Sequence, residues 1–533
     1  MSAYSMGIDF GTLSGRAVIV DIDTGEEIAT SVMEYSHRVM TDTFLDGTPL
    51  PAGYALQHPQ DYLDTLGYIT KDCIEKSGID SGDIIGVGID FTASTVIPVY
   101  EDGTPLCFDP KFCNNPHAYV KLWKHSAAQA EADCINNLLK DTNPDILKKY
   151  GGTTSCELLL PKVLQIYREC PEVYNSTYRF TEAGDWIVWK LTGEESTSVC
   201  MAGFKAMWNK DEEYLSLDFL SKLEPGFETL TDKLCKRVLS TSQTAGYITE
   251  EASALTGLKA GTPVAPSFID AHAALPALGI TQPGELLIII GTSSCHILQG
   301  DKPAYVPGTA GYVKDAITEG LYAFEAGQNC VGDCFDWFVS SCVTGACRDE
   351  AENLGISIHQ LLTEKAEKIS PGSNGILALD WWNGNRTPYV NGNLRGVITG
   401  LSITTTPEEL YRCLIESTAY GTKRIVDLYE QGGINIDKIC AAGGIAEKNP
   451  LLMQIYADVL GKDISVSGTS QACAYGSAVS GAVSGKAFCD IHSASQHMKK
   501  PFSAVYRPNT ENTEKYKKFY ENYLELSRYF AQR

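Results

Sequence analysis

Ser5-Met-Gly-Ile-Asp-Phe-Gly-Thr-Leu-Ser-Gly-Arg-Ala-Val-Ile-Val-Asp-Ile22 is a pair of apolar runs joined by a glycine turn. Ser5–Phe10 reads as a short strand ending in Asp9 and Gly11. Arg16–Ile22 is rich in the β-branched residues that fit a pleated surface. Asp23-Thr-Gly25 marks a turn, and Glu27–Tyr35 reads as a third strand. Working outward, Pro59 to Gly78 carries Tyr62, Leu63, Leu66, Ile69, Cys73 and Ile74 at helical spacing, with Gly78 as the stop. Ile84–Phe91 (Ile-Ile-Gly-Val-Gly-Ile-Asp-Phe) is a buried strand. The order is therefore hairpin, third strand, helix, strand.

That order opens a ribonuclease-H-like α/β unit of the kind used in actin-like proteins. The pattern starts again near residue 264. Glu285–Ile290 is a strand running into Gly291-Thr292-Ser293, as Ile8-Asp9-Phe10 runs into Gly11-Thr12. Two related domains are expected, each offering a Gly-Thr turn. Thr406-Pro-Glu-Glu409 is a capping box with proline at the first helical position. Its helix carries Leu410, Leu414, Tyr420, Ile425 and Leu428 before Gly432-Gly433 stops it. Ile439–Ala442 is a strand ending in Gly443-Gly444, followed by a helix from about Asn449. The last helix, Glu511–Phe530, mixes polar and aromatic residues and should dock on the surface of one domain. No low-complexity linker divides the halves, so they should pack around a cleft. The expected division is 1–265 and 266–533, each with one Gly-Thr turn. The fold class is α/β, two ribonuclease-H-like (actin-like ATPase) domains around a central cleft.

A chain of 533 residues is too long for one core and fits two large domains. The net charge of −23 argues against nucleic acid and anionic membranes as partners. It also implies that phosphate is held by backbone N–H groups and a metal ion, not by a Lys/Arg cluster. The 17 cysteines are scattered singly, with no zinc or redox spacing, and read as reduced core thiols. Residues 1–11 lack the basic and apolar regions of a signal peptide. The longest apolar run, Leu286–Ile290, is far short of the ~20 residues a membrane helix needs. A cytoplasmic protein is expected.

Several short strings carry chemistry. In Asp9-Phe-Gly11-Thr12, the glycine lets backbone approach phosphate oxygens and the aspartate suits Mg²⁺. Gly291-Thr292 is its counterpart, and two such loops facing each other would clamp phosphates. Either turn alone is equally compatible with an ordinary hairpin. In Phe268-Ile-Asp270-Ala-His272, the carboxylate at the domain junction reads either as the base of a phosphoryl transfer or as a cap for the helix near 271–278. His272 reads as structural. Gly443-Gly444, between a strand and a helix, would let a flat adenine or ribose lie against backbone, or serve a strand–helix connection that needs positive φ. Trp123, Lys205, Glu325 and the Phe91–Ser94 turn with Ala93 suit a polyol: charges for hydroxyls, an aromatic face for C–H groups. Each of these alone is as readily structural.

Taken in order from Asp9 through Asp270 and Gly291 to Gly443, these motifs resemble the FGGY carbohydrate kinase family over nearly the whole chain. The resemblance is strongest to members acting on L-ribulose. It rests on Asp90-Phe-Thr-Ala-Ser94, Asn115-Pro-His-Ala118 with Leu122-Trp-Lys124, Ile290-Gly-Thr-Ser-Ser-Cys295, Glu325-Ala-Gly-Gln328 with Gly332-Asp333, and above all Asp380-Trp-Trp-Asn-Gly-Asn-Arg-Thr-Pro388. It implies an ATP- and Mg²⁺-dependent kinase of L-ribulose, with D-ribulose, D-xylulose or ribitol as alternative sugars, and admits a homodimer. It implies Asp270 as base; Ala93, Trp123, Lys205 and Glu325 at the sugar; Gly11, Thr12, Gly291 and Thr292 at the phosphates; Gly443, Gly444 and Asn449 at the adenosine; and Asp9 near the metal. The chain departs from the family's first signature, since Pro161-Lys162-Val-Leu-Gln165 lacks its tryptophan. It also has a longer spacer between Gly392 and Tyr420. The competing expectation is a non-catalytic actin-like nucleotide-binding protein, a polymer or a sensor, which the retained Asp270 disfavours.

Overall fold

The structure, a computed structural model, describes residues 3–372 and 375–532. Residues 1 and 2 of the stretch read for a leader lie outside the described residues. β1 (Tyr4–Phe10) and β2 (Ser14–Asp21) form the antiparallel hairpin, and β3 (Glu27–Glu34) extends it. α1 (Pro59–Ser77) starts on the His58 side chain and stops at Gly78, whose φ of 67° frees it to close the last turn. Its buried stripe, Tyr62, Leu66, Ile69 and Cys73, lies on the sheet. β4 (Ile84–Phe91) is almost wholly buried, as a central parallel strand must be, and pairs with β1.

The chain between Thr92 and Thr262 adds a small sheet with its own core around Phe112, Leu164 and Phe227. It also carries α2 (Leu159–Glu169) and α3 (Val199–Lys205). β5 (Pro263–Val264) returns to the main sheet beside β4, and α4 (Asp270–Ala277) follows. Among the described residues, the path across the first sheet runs β3-β2-β1-β4-β5.

The second half repeats that path. β6 (Glu285–Ile290) and β7 (Ser294–Gly300) form a hairpin flanked by β8 (Tyr322–Gln328). α5 (Gly332–Ser341) and α6 (Pro407–Gln431) follow, the latter on its capping box. β9 (Lys438–Ala442) pairs parallel to β6. A short α7 (Gly444–Lys448) intervenes before α8 (Pro450–Leu460), so the paired glycines open one helix and Asn449 caps the next. With β10 (Ile464–Val466) the order is β8-β7-β6-β9-β10. The short Gly-Thr recurrence in the sequence thus marks a repeat of a whole sheet, and the molecule is two ribonuclease-H-like, actin-like domains around a cleft.

α9 (Ala472–Ser484) belongs by sequence to the second half but packs on β1, β4 and α4 of the first. Glycines make room for it: a Cβ on Gly88 would stand 1.9 Å from the Ser477 carbonyl oxygen. α10 (Thr510–Ala531) docks through Tyr516 and Tyr523. Tyr516 Oη donates to Glu416 at 2.9 Å, and Tyr523 Oη donates to Asp380 at 2.7 Å. Among the described residues, no helix is long and apolar enough to cross a membrane.

Candidate active site

β1 and β4 both end on Ile-Asp-Phe, and their parallel register sets Asp9 opposite Asp90. Asp90 is fully buried; one oxygen accepts from Ser477 Oγ at 2.6 Å and the other, Oδ1, has no partner. Asp9 pairs with Arg16 Nε at 3.2 Å. Asp270 occupies the first position of α4, and its Oδ1 accepts from the next backbone N–H at 2.7 Å. Burial, and then Asp9, push the Asp270 carboxyl up to about 7. Burial raises Asp9 as well, and burial with Asp9 beside it raises Asp90 well above the carboxylate range. Such a cluster resists full ionisation unless a cation joins it. Asp9, Asp90 and Cys473 offer atoms within 4.8 Å of one another. The two carboxylates, one with an orphaned buried oxygen, fit the hard oxygen preference of Mg²⁺; the thiol does not.

Among the residues predicted for the sugar, α3 delivers Lys205, whose Nζ lies 3.1 Å from Glu325 Oε2 on β8. His272 Nε2 is 3.4 Å from the same oxygen, while its Nδ1 meets Cys200 Sγ at 3.2 Å. Burial opposes ionisation of Glu325. Lys205, His272 and Arg386 outweigh it and hold the carboxyl well below its ordinary value. Lys205 is disfavoured as a cation by burial, yet Glu325 carries its pKa above the lysine value. His272, read as structural, thus braces a predicted sugar ligand. Ala93 sits in the turn after β4, its carbonyl accepting from Thr95 Oγ1 at 3.2 Å. Trp123 Nε1 donates to Thr12 Oγ1 at 3.1 Å, joining the polyol side to the first Gly-Thr turn.

Lys162, the residue left by the incomplete signature, is fully buried on α2. Its Nζ donates to the carbonyls of Ser94 at 2.5 Å and Leu122 at 2.8 Å. One buried cation therefore pins the loops that carry Ala93 and Trp123. Its role was hidden because the signature reads a sequence pattern, whereas the clamp is three-dimensional.

Both Gly-Thr turns are closed by the glycine N–H, the first onto the third residue along and the second onto the second. Gly11 N donates to Ser14 O at 3.0 Å, and Gly291 N donates to Ser293 O at 2.9 Å. Gly332 N at the head of α5 donates to Gly291 O at 3.0 Å, and Val331 N to Thr292 O at 2.8 Å. Beside this turn opens a cavity of about 880 Å³ lined by Gly291, Thr292, Phe335, Tyr411, Gly444 and Asn449. Gly443 stands behind the wall: φ is 98°, and a Cβ would lie 2.5 Å from Ile290 O. The Asn449 side chain accepts from Leu452 N at 3.0 Å as the cap of α8. A second cavity, about 630 Å³, is lined by Tyr150, Trp208, Tyr214 and Tyr312 and holds none of the predicted residues.

The structure therefore gathers Asp9, Asp270, Lys205 and Glu325 into one electrostatic cluster, and Gly291, Thr292, Gly444 and Asn449 onto one cavity. Sequence reasoning assigned no role to Asp90, Lys162, Glu157 or Arg386. The signal for Asp90 was the repeated Ile-Asp-Phe at two strand ends.

Two like lobes, each with a Gly-Thr turn after its first strand, and a cavity of about 880 Å³ beside the second turn define a class: an ATP-using enzyme of the actin-like ATPase fold. The chain belongs to the FGGY family of carbohydrate kinases, with residues 4–277 matching the N-terminal domain and 286–485 the C-terminal domain. The ribulokinase of Bacillus licheniformis is 46% identical over 525 residues, covering 97% of this chain and 95% of that protein. The ribulokinase of Geobacillus thermodenitrificans is 43% identical over 534 residues, covering 99% and 94%. Among solved structures, a ligand-bound xylulose kinase from Lactobacillus acidophilus has a TM-score of 0.83 at 19% identity, covering 99% of this chain and 98% of that one. At that identity the likeness speaks for the fold alone. All 17 cysteines are free thiols.

Proposed function

We propose that this protein transfers the γ-phosphoryl group of ATP to L-ribulose, giving ADP and L-ribulose 5-phosphate in L-arabinose catabolism. Near-full-length similarity to ribulokinases supports the sugar. The observation that carries the chemistry is Asp270, a carboxyl held at about 7 beside the Lys205–Glu325 pair. A base poised near the working pH suits proton removal from a hydroxyl. The sugar's terminal oxygen attacks the γ-phosphorus, its proton passes to the Asp270 carboxylate, and the bond to the β–γ bridging oxygen breaks with its electrons leaving on ADP. Lys205, Glu325 and Ala93 hold the other hydroxyls, and Trp123 flanks the carbon skeleton. Gly11, Thr12, Gly291 and Thr292 present backbone to the phosphates; Gly444 and Asn449 border the adenosine, with Gly443 backing that wall. Asp9, with Asp90, would hold Mg²⁺, which when bound supplies positive charge against the phosphate oxygens. In this reading residues 1–265 bring Ala93, Trp123 and Lys205 to the sugar, and 266–533 hold the nucleotide and add Asp270 and Glu325, in a cytoplasmic enzyme.

The test is coupled-assay ADP production with Mg-ATP over L-ribulose, D-ribulose, D-xylulose, ribitol, L-arabinose and glycerol. Highest kcat/KM on L-ribulose is expected. A different preferred sugar would replace the substrate and leave the mechanism. No turnover of any sugar would sink the kinase reading.

A further inference from the structure

The most distinctive string in the sequence, Asp380–Pro388, has no part in the reaction just described. In the fold its first residue is moored: buried Asp380 accepts from Tyr523 Oη of α10 at 2.7 Å and from Gln328 Nε2, at the end of β8, at 2.8 Å. Six residues on, Arg386 emerges against β8. A Cβ on Gly327 would lie 3.3 Å from Arg386 Cδ. The guanidinium leaves the second lobe and reaches Glu157 of the first, with Nη2 3.2 Å from Oε1 and 3.1 Å from Oε2. Glu157 lies two residues before α2, the helix whose Lys162 pins the Ala93 and Trp123 loops. Pro388, at the far end of the string, packs its carbonyl against Gly308, where a Cβ would stand 2.0 Å away. Gly308 N donates across the lobes to Gly151 O at 2.8 Å.

Among the ion pairs that cross between the lobes, two share the neighbourhood of Glu325. Lys205 of the first lobe meets Glu325 of the second, and Glu157 of the first meets Arg386 of the second. Glu325 and Arg386 also act on each other electrostatically, so four charges alternate in one chain: Glu157, Arg386, Glu325, Lys205.

We propose that Arg386 is a positioning residue for the sugar site: its pair with Glu157 couples the approach of the lobes to the orientation of Glu325. The inference rests on the reading of Glu325 as a sugar ligand. An isolated pair with 29% and 33% side-chain exposure contributes little to stability. A pair that spans two lobes exists only when they are together, so whatever it contributes favours the closed state. Without Arg386, Glu325 loses one of its positive neighbours and the string loses its hold on the first lobe. Without Glu157, Arg386 is free to turn onto Glu325 and occupy the oxygens a sugar would use. Both losses weaken sugar binding and leave the nucleotide cavity, on the other side of β6, intact.

The test compares Glu157→Gln, Arg386→Gln, Arg386→Lys and the Glu157→Gln/Arg386→Gln double variant in steady-state kinetics on the sugar the wild type prefers. Each single glutamine variant should raise the sugar KM roughly tenfold, which is about 1.4 kcal/mol. ATP KM should stay within about twofold, and the double variant should be no worse than the worse single. Arg386→Lys, which keeps charge but loses the fork, should fall between. An unchanged sugar KM in a folded Glu157→Gln variant, or fully additive losses in the double, overturns the proposal. Should Arg386→Gln fail to fold, the half-exposed Glu157→Gln variant still decides. Small-angle scattering without sugar decides independently of chemistry: the broken bridge should enlarge the radius of gyration, and an identical profile counts against coupling. A wild type that turns over no sugar refutes the kinase reading, a different result from wild-type KM values in the variants.

Discussion

Asp270 shows how one carboxyl acquires its property from neighbours. Burial and Asp9 bring it to about 7, so the deprotonated, proton-accepting form is lost as the pH falls. We expect kcat/KM for the sugar to drop about tenfold per pH unit below pH 7. Asp270→Asn should lose on the order of 10²–10⁴ in kcat with its melting curve retained; near-wild-type turnover would remove it as the base. Asp90 gives a test of the metal-side cluster. Its folded pKa is raised, so its contribution to stability is complete at low pH and fades as the pH rises. Asp90→Asn should therefore raise the melting temperature of metal-free protein at pH 8, with the gain shrinking on acidification. If Asp9 and Asp90 hold Mg²⁺ as proposed, the metal should stabilise the wild type and do so less in the variant. Calorimetry across pH, with and without Mg²⁺, checks both; parallel wild-type and variant curves would refute the cluster. Asp9 and Asp270 were legible because each stands at a strand end or helix start beside a turn. Asp90 shares that position, yet its role depends on the parallel register of β1 and β4, which no local pattern supplies.

Among the elements, β1, β4 and α1 were legible almost to the residue, because apolar period and Gly78 are local signals. The destination of α9 was not. Its small residues, Ala474, Gly476, Ser477 and Gly481, carry no local pattern, and only the packed structure shows why they are small: Gly7 of β1 lies against Ala474, Ala273 of α4 against Gly476, and the backbone of β4 against Ser477 and Gly481. Gly88→Ala would set a Cβ 1.9 Å from a backbone oxygen that cannot swing aside. It should cost about 3 kcal/mol or more and sharply lower soluble yield. Gly345, whose added Cβ would meet nothing within 4 Å, is the control: Gly345→Ala should be neutral or slightly stabilising. Equal melting temperatures for the two variants would refute the close approach. Thr406→Ala should cost about 1 kcal/mol through loss of the capping box, read as a lowered denaturation midpoint.

Across the whole molecule, one apolar cluster spans the two halves, beside a second that belongs to the second half. Leu287, Cys440, Ala478 and Val479 of the second half cluster with Ile8, Ile89 and Val264 of the first. Scanning calorimetry should therefore show a single cooperative transition, and a fragment of residues 1–265, which lacks α4 and α9, should not fold; two resolved transitions or a folded fragment would contradict this. The order of elements, the matched Gly-Thr turns and the family's chemistry were determined by the sequence itself, because turns, caps and hydrophobic period act over a few residues. Tertiary structure alone decided which charges face each other: Asp90 beside Asp9, Lys162 under two loops, Arg386 between Glu157 and Glu325. Electrostatic coupling falls with distance through space, and Arg386 and Glu157 stand 229 residues apart along the chain.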